Sequence, residues 1–132
     1  MKNILDTHTF IWFVEGSPEL SKNARNIIEN INNDNYISIA SLWEMSIKVG
    51  LGKLILKAGD FAKIIDSINE NGFQILDINF QHTVENSKLP LIHRDPFDRM
   101  IISQGIVENM HIIGKDAIFD DYLKDKRIKR IW

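Results

Sequence analysis

The sequence predicts an α/β fold, in which a central parallel sheet of four to five strands is flanked by helices on both faces. Short apolar runs typical of buried strands alternate with longer segments that carry apolar residues at helical spacing. This alternation is typical of parallel strands joined by helical crossovers. No internal repeat, low-complexity tract or linker interrupts it, so we expect a single domain over residues 1–132.

The first third of the chain is predicted as strand, helix, helix and strand. Residues 2–6 are an apolar strand run, and a short helix over residues 7–14 ends at a Gly-Ser-Pro break. Ser21 is a suitable N-cap for a helix over about residues 22–31, where apolar residues recur at helical spacing. Residues 36–39 form the second predicted strand.

The middle third contains two helices, a strand and a further helix. An apolar helix over residues 40–49 is ended by a Gly-Leu-Gly-Lys segment. Residues 60–70 form an amphipathic helix, and residues 73–78 form the third strand. Asn79 is a suitable cap for a helix that reaches about residue 87.

The last third begins with an explicit helix start. Asp95 is a good N-cap and Pro96 fits the first helical position. The fourth strand follows over residues 111–114 and a short helical segment over 117–122. Residues 127–132 are predicted as a fifth strand at an edge of the sheet.

Composition limits the class of protein. The chain is 44% hydrophobic and 26% charged, which permits a core and argues against disorder. It has no cysteine, which excludes disulfides and zinc-thiolate sites and is compatible with the cytoplasm, where we expect the protein. No stretch resembles a signal peptide or membrane span. A net charge of -2 does not indicate nucleic-acid binding through bulk charge.

Four acids, Asp6, Glu44, Asp98 and Asp116, lie near the exits of predicted strands or at the start of the helix that follows. The carboxyl ends of parallel strands meet at one edge of the sheet, so these side chains are expected to converge. Converging carboxylates repel one another unless a cation lies among them. Oxygen ligands without thiolates favour magnesium or manganese. The pattern therefore predicts a divalent-metal site suited to phosphodiester chemistry.

Each of these acids also has a structural alternative. Asp6 could cap the helix over residues 7–14, although Thr7 could serve equally well. Glu44 could face solvent and pair with Lys48 one turn later. Asp116 could cap the helical segment that follows it.

Asp95 and Asp98 compete for one position in the site. The capping pattern assigns Asp95 a structural role, whereas Asp98, one turn into the helix, can either complete a capping box or face the metal. We predict Asp98 as the metal-facing acid and Asp95 as a supporting residue.

Several polar residues near the acids are predicted to support them. Thr7 and Ser38 could hydrogen-bond the acids or a phosphate, and Arg99 is expected to form an ion pair with a neighbouring acid rather than contact phosphate. His93 and Arg94 are expected to be an exposed loop pair, with phosphate contact as the alternative. The three tryptophans are predicted as core or interface residues rather than stacking platforms.

Three motifs together resemble the PIN-domain family, and most of all the VapC-like toxins of prokaryotic type II toxin–antitoxin systems. The resemblance covers essentially the whole chain. The motifs are Leu5-Asp6-Thr7-His8 with Trp12, Ser38-Ile39-Ala40-Ser41-Leu42-Trp43-Glu44 with Lys48, and His93-Arg94-Asp95-Pro96-Phe97-Asp98-Arg99.

The resemblance implies an acidic site at Asp6, Glu44, Asp98 and Asp116. It further implies a magnesium- or manganese-dependent endoribonuclease that activates water, a homodimer, and a cognate antitoxin protein that binds near the active site. The chain departs from the family at Gly114, where many relatives have a threonine, so a hydroxyl that could support the site is missing.

Two rival functions follow from the same residues. In a phosphatase or phosphoryl-acceptor domain, Asp6 would be a covalent nucleophile, but Thr7-His8 follows it where that class generally has a second acid. In a non-catalytic dimerising or RNA-binding module, the acids would only cap helices. The residues do not identify the RNA substrate.

Overall fold

A computed structural model describes all residues from Met1 to Trp132. Five strands form one sheet, in which every neighbouring pair is parallel. The strands are β1 (Lys2–Leu5), β2 (Asp34–Ser38), β3 (Gln74–Leu76), β4 (His111–Ile113) and β5 (Arg130–Ile131). Their order across the sheet is β3-β2-β1-β4-β5, so β1 is central. The fifth strand lies at an edge, as predicted.

Seven α-helices connect the strands. None is long and apolar enough to cross a membrane. In chain order they are α1 (Thr7–Glu15), α2 (Lys22–Glu29), α3 (Ile39–Gly50), α4 (Ile64–Glu70), α5 (Phe80–Lys88), α6 (Pro96–Glu108) and α7 (Ile118–Leu123).

The predicted caps are present, while some element ends differ from the prediction. The Ser21 hydroxyl accepts a hydrogen bond from the Ala24 amide at 3.0 Å, and Asn79 caps α5. The helix predicted over residues 22–31 ends at Glu29, which leaves Ile31 95% exposed. The helix predicted over residues 60–70 begins as a 3₁₀ turn over Phe61–Lys63, in which the Lys63 amide donates to the Asp60 carbonyl at 3.0 Å.

Hydrophobic clusters cover both faces of the sheet. Successive strand residues point to opposite faces, so Ile4 packs with Ile112 in one cluster while Leu5 packs with Ile37 and Ile113 in the other. All five of these side chains are fully buried. Burial on both faces explains why these strands are continuously apolar rather than alternating.

The register of β1 determines which residues meet at the carboxyl edge. Leu5 pairs with Ile37 of β2 and with Ile113 of β4. The amide that follows Leu5, that of Asp6, donates to the Ile113 carbonyl at 3.0 Å. Strands β2 and β3 extend the sheet on one side of β1, and β4 and β5 extend it on the other. In folds of this kind a crevice forms where the strand order reverses. Asp6 therefore lies at the switch point of the sheet.

Candidate active site

Asp6 is the centre of the candidate site. Its side chain is 6% exposed, and its Oδ1 accepts a hydrogen bond from the Thr9 amide at 2.8 Å, so it caps α1. Burial raises the pKa of Asp6 above its ordinary value, and the nearby charge of Glu44 adds to this rise. The metal alternative and the capping alternative are thus both compatible with its position.

Thr7 does not cap α1. Its hydroxyl instead donates to the Ser41 hydroxyl at 2.9 Å, and both residues are buried. This bond joins α1 to α3, the two helices that follow β1 and β2. Ser38 caps α3 by accepting a bond from the Ala40 amide at 3.0 Å. These predicted supporting residues therefore hold helix starts and helix contacts in place.

Glu44 is buried in the middle of α3, with 5% exposure, so the structural alternative in which it faces solvent is wrong. The predicted pair with Lys48 is present, and the Lys48 ammonium lies 2.9 Å from Glu44 Oε2. The other carboxylate oxygen, Oε1, is buried and has no hydrogen-bond partner. An unpartnered buried carboxylate oxygen is costly unless a cation or donor reaches it.

Asp95 caps α6 as predicted, whereas Asp98 caps no helix. Asp95 Oδ1 accepts bonds from the amides of Phe97 and Asp98, at 2.8 and 3.2 Å, and so caps α6. Asp98 completes no capping box; its Oδ2 lies 2.7 Å from His93 Nε2. Desolvation raises the pKa of Asp98 to about 6, and the negative charges of Asp95 and Asp6 contribute. Asp98 therefore lies within electrostatic range of Asp6.

His93 lies beside Asp98, so the prediction that it is an exposed loop residue is wrong. It is half-buried, and its imidazole nitrogen lies with carboxylate oxygens of Asp95 and Asp98 within 4.8 Å of one another. Its backbone amide donates to the Tyr122 hydroxyl at 2.7 Å. The sequence signal for this role was only its place shortly before Asp98, because Tyr122 comes from a distant helix.

Arg99 forms no ion pair with an acid, so that prediction is wrong. Its guanidinium donates to the carbonyl of Pro90 at 2.9 Å and to the Tyr122 hydroxyl at 3.1 Å. A third bond reaches the Leu89 carbonyl at 3.3 Å. Arg99 and Tyr122 therefore clamp the loop that carries His93, and Arg99 supports the site through the backbone rather than through charge.

Asp116 is exposed, and its Oδ1 accepts a bond from the Ile118 amide at 3.0 Å. It shares with Asp6 an open cavity of about 360 Å³. The other residues that line this cavity are His8, Trp12 and Lys115. The structure thus brings the first and last predicted acids to one opening at the carboxyl edge.

Gly114 lies against Asp6. A Cβ atom at position 114 would lie 2.7 Å from Asp6 Oδ2 and 3.1 Å from Phe119 Cε2. The backbone of Gly114 does not have a positive φ angle, so conformation does not require glycine there. Gly114 therefore leaves space for the Asp6 carboxylate, and it also lacks the hydroxyl that a threonine would supply at this position.

The donor set fits a hard divalent cation. Asp6 is close enough to Glu44 and Asp98 to be influenced by their charges, and it shares a cavity with Asp116. Glu44 Oε1 lacks any partner. Carboxylate oxygens with one imidazole, and no thiolate, suit magnesium or manganese.

The raised pKa of Asp98 predicts a pH-dependent stability. The folded protein holds this proton up to about pH 6, whereas the unfolded chain loses it near the ordinary value of 3.8. The contribution of Asp98 to the free energy of unfolding therefore falls as pH rises between these values, and is constant above them. In the presence of a chelator, the free energy of unfolding of Asp98→Asn, relative to that of wild type, should therefore rise by about 1–3 kcal/mol as the pH increases from about 4 to about 7.

Urea unfolding across this pH range measures the difference. The control is Gln81→Asn, at an exposed side chain of α5 that carries no titratable group, whose difference from wild type should not change with pH. A difference for Asp98→Asn that is equally independent of pH would contradict the prediction.

Comparison with known proteins identifies the family. The PIN domain model matches residues 4–124. No curated protein sequence is significantly similar to the chain. Among solved structures, a similar chain occurs in VapBC2 from Rickettsia felis bound to a DNA fragment from their promoter. The TM-score is 0.75 at 19% identity, and the match covers 99% of this chain and 98% of the other.

Two further structures are similar at comparable levels. VapBC-1 from nontypeable Haemophilus influenzae gives a TM-score of 0.70 at 17% identity, covering 99% of this chain and 97% of the other. DNA-bound VapBC from Salmonella typhimurium gives 0.69 at 17% identity, covering 98% of each chain. These TM-scores establish a shared fold, and the family match spans nearly the whole chain. The chain belongs to the PIN domain family.

Proposed function

We propose that the protein is a metal-dependent endoribonuclease and the toxin of a toxin–antitoxin pair. The observation that carries the proposal is that two of the clustered acids, Glu44 and Asp98, cap no helix. Both are largely buried, and Glu44 keeps a carboxylate oxygen without a partner. A protein that used its acids only as caps would have no reason to bear this cost. Membership of the PIN domain family supports a nuclease.

Asp6, Glu44, Asp98 and Asp116 would hold magnesium or manganese. Such an ion, when bound, lowers the pKa of a water molecule and neutralises charge on a phosphodiester. Lys48 holds one oxygen of Glu44 and leaves the other free. His93 holds Asp98 Oδ2 through its Nε2 atom, which orients that carboxylate.

The shape of the site suits a polymeric substrate. Asp6 and Asp116 face an open cavity rather than an enclosed pocket, so a phosphodiester within a longer strand can reach them. Hydrolysis of RNA by attack of water would use the acids in this way without a covalent intermediate on Asp6.

A cognate antitoxin and a second copy of the chain are the proposed partners. The similar structures from Rickettsia felis, Haemophilus influenzae and Salmonella typhimurium are VapBC structures, which supports an antitoxin. The protein also exposes apolar side chains that interfaces could bury, including Trp43, Phe80 and Leu91.

Asp6→Asn tests the nuclease proposal. Asparagine caps a helix about as well as aspartate, so the variant should fold. Cleavage of RNA in magnesium or manganese should fall about 10²- to 10³-fold, the range typical of removing a group that stabilises developing charge. Without metal, the midpoint of thermal unfolding should rise, because one crowded charge is removed.

Calorimetric titration with manganese provides the second readout. Wild type should bind and Asp6→Asn should bind weakly or not at all. The matched control is Asp34→Asn, at an exposed acid on the opposite end of the sheet, which should cleave and bind as wild type does. Absence of both cleavage and metal affinity in wild type would refute the proposal.

Gly114→Ala tests the positioning of Asp6. The added methyl group overlaps Asp6 Oδ2, so the carboxylate must move and manganese affinity should fall about 10-fold or more. Gly50→Ala is the control, because nothing lies within 4 Å of a Cβ there. If Gly114→Ala binds manganese as tightly as wild type, the space at position 114 does not position Asp6.

Expression and mass measurements test the proposed partners. Induced expression of the chain in bacteria should arrest growth, and co-expression of the protein encoded beside it should restore growth and yield a stable complex. Light scattering of the isolated chain should give about twice the monomer mass of 15.3 kDa. Growth arrest that persists in Asp6→Asn would show that toxicity does not come from the acid cluster.

A further inference from the structure

The cavity beside Asp6 has an aromatic wall that the acid cluster does not use. Trp12 is the one hydrophobic residue that lines it. The indole is held in place from two sides, because the ring of Trp132 meets it edge-on at 5.9 Å and the imidazole of His8 lies 5.7 Å away at 40°. Trp12 also packs partly against the larger core cluster. It is therefore a rigid ring at the rim of an opening.

A lysine lies over the same ring. The Lys115 ammonium is 5.8 Å from the Trp12 centroid and 3.3 Å from Glu19 Oε2. Both members of this ion pair are more than half exposed, and such pairs contribute little stability. Lys115 can therefore leave Glu19 and contact an anionic group at a small cost in free energy. This movement would also uncover the face of the Trp12 indole.

The size of the cavity limits the ligand. Its volume of about 360 Å³ is near the lower end of the range of roughly 300–1,000 Å³ for small-ligand sites. This volume has room for about one nucleotide unit of a strand that continues beyond the opening. An aromatic ring beside a cation is the usual means by which proteins hold a base of a single strand together with its phosphate.

We propose that this cavity is a nucleobase subsite, in which one unpaired base of the RNA stacks on Trp12 while Lys115 contacts an adjacent phosphate. The inference rests on the proposed nuclease function and specifies single-stranded RNA as its substrate. Asp6 and Asp116 line the same cavity, so a base held on Trp12 places a neighbouring phosphodiester beside the acids. Stacking accepts every base, so the subsite selects for an unpaired nucleotide rather than for a sequence.

Tryptophan fluorescence can report on this contact directly. The chain has three tryptophans, so W43F/W132F leaves Trp12 as the only indole. The matched control, W12F/W132F, leaves only Trp43, which is 61% exposed and does not line the cavity. Both are made in the Asp98→Asn background, which prevents cleavage and removes one negative charge.

Titration with hexaribonucleotides of random sequence should quench Trp12 emission saturably and leave Trp43 emission unchanged. Inorganic polyphosphate of matched charge, which has no bases, should not quench Trp12. Equal quenching by polyphosphate would mean that the cavity binds anions and not bases. An unchanged Trp12 emission in protein that does bind RNA would also overturn the proposal.

Kinetics of the active protein provide the second test. Trp12→Leu should raise the RNA concentration for half-maximal cleavage about 5- to 150-fold, the range typical of one lost base stack, with little change in the maximal rate. Trp12→Phe, which keeps a ring, should restore much of the affinity. Ile31→Ala, at a side chain that is 95% exposed and does not line the cavity, should behave as wild type does.

The outcomes separate this inference from the nuclease proposal. If Trp12→Leu cleaves RNA with wild-type concentration dependence, the subsite is wrong and the nuclease proposal stands. If wild type cleaves duplex and single-stranded RNA equally well, the substrate class is wrong. If wild type neither binds nor cleaves RNA, both proposals fail.

Discussion

Burial of the Asp6 carboxylate at the end of the central strand is the constraint on which the site depends. The carboxylate is removed from water while the charges of Glu44 and Asp98 lie nearby, and both effects raise pKa values in the cluster. The Thr9 amide and the start of α1 offset part of this cost. The rest remains as stored repulsion, which a cation can relieve. A buried cluster of carboxylates favours a cation for this reason, even though Lys48 and His93 each hold one of its oxygens.

The acids show that capping and chemistry are not alternatives. Asp6 and Asp116 each accept a backbone amide and still face the shared cavity. A carboxylate has two oxygens, so one can hold a helix start while the other remains available. Asp95 is different, since its Oδ1 receives two amides at the start of α6 and its contribution is to place Asp98. The two acids that cap no helix, Asp98 and Glu44, are therefore the stronger support for a metal site.

The walls of the site come from segments far apart in the chain. Tyr122 of α7 and Arg99 of α6 fix the loop that brings His93 to Asp98. On the other side, Trp132 at the end of the chain supports Trp12 of α1. Rigid supports of this kind keep a substrate-facing surface in one arrangement before anything binds. In the proposed nuclease, the acid cluster would supply the reaction and the surrounding walls would determine which substrates approach it.

The sequence by itself determined the parallel sheet flanked by helices and the four candidate acids, because strand exits and caps are local patterns. Asp6, Ser21, Asn79 and Asp95 occupy cap positions that neighbouring residues alone define.

Only the tertiary structure decided how these residues are surrounded. The burial of Glu44, the contact of His93 with Asp98, the clamp formed by Arg99 and the overlap of position 114 with Asp6 all join distant segments. Periodicity and spacing describe a residue's own element, whereas desolvation and close contact depend on what the rest of the chain packs against it.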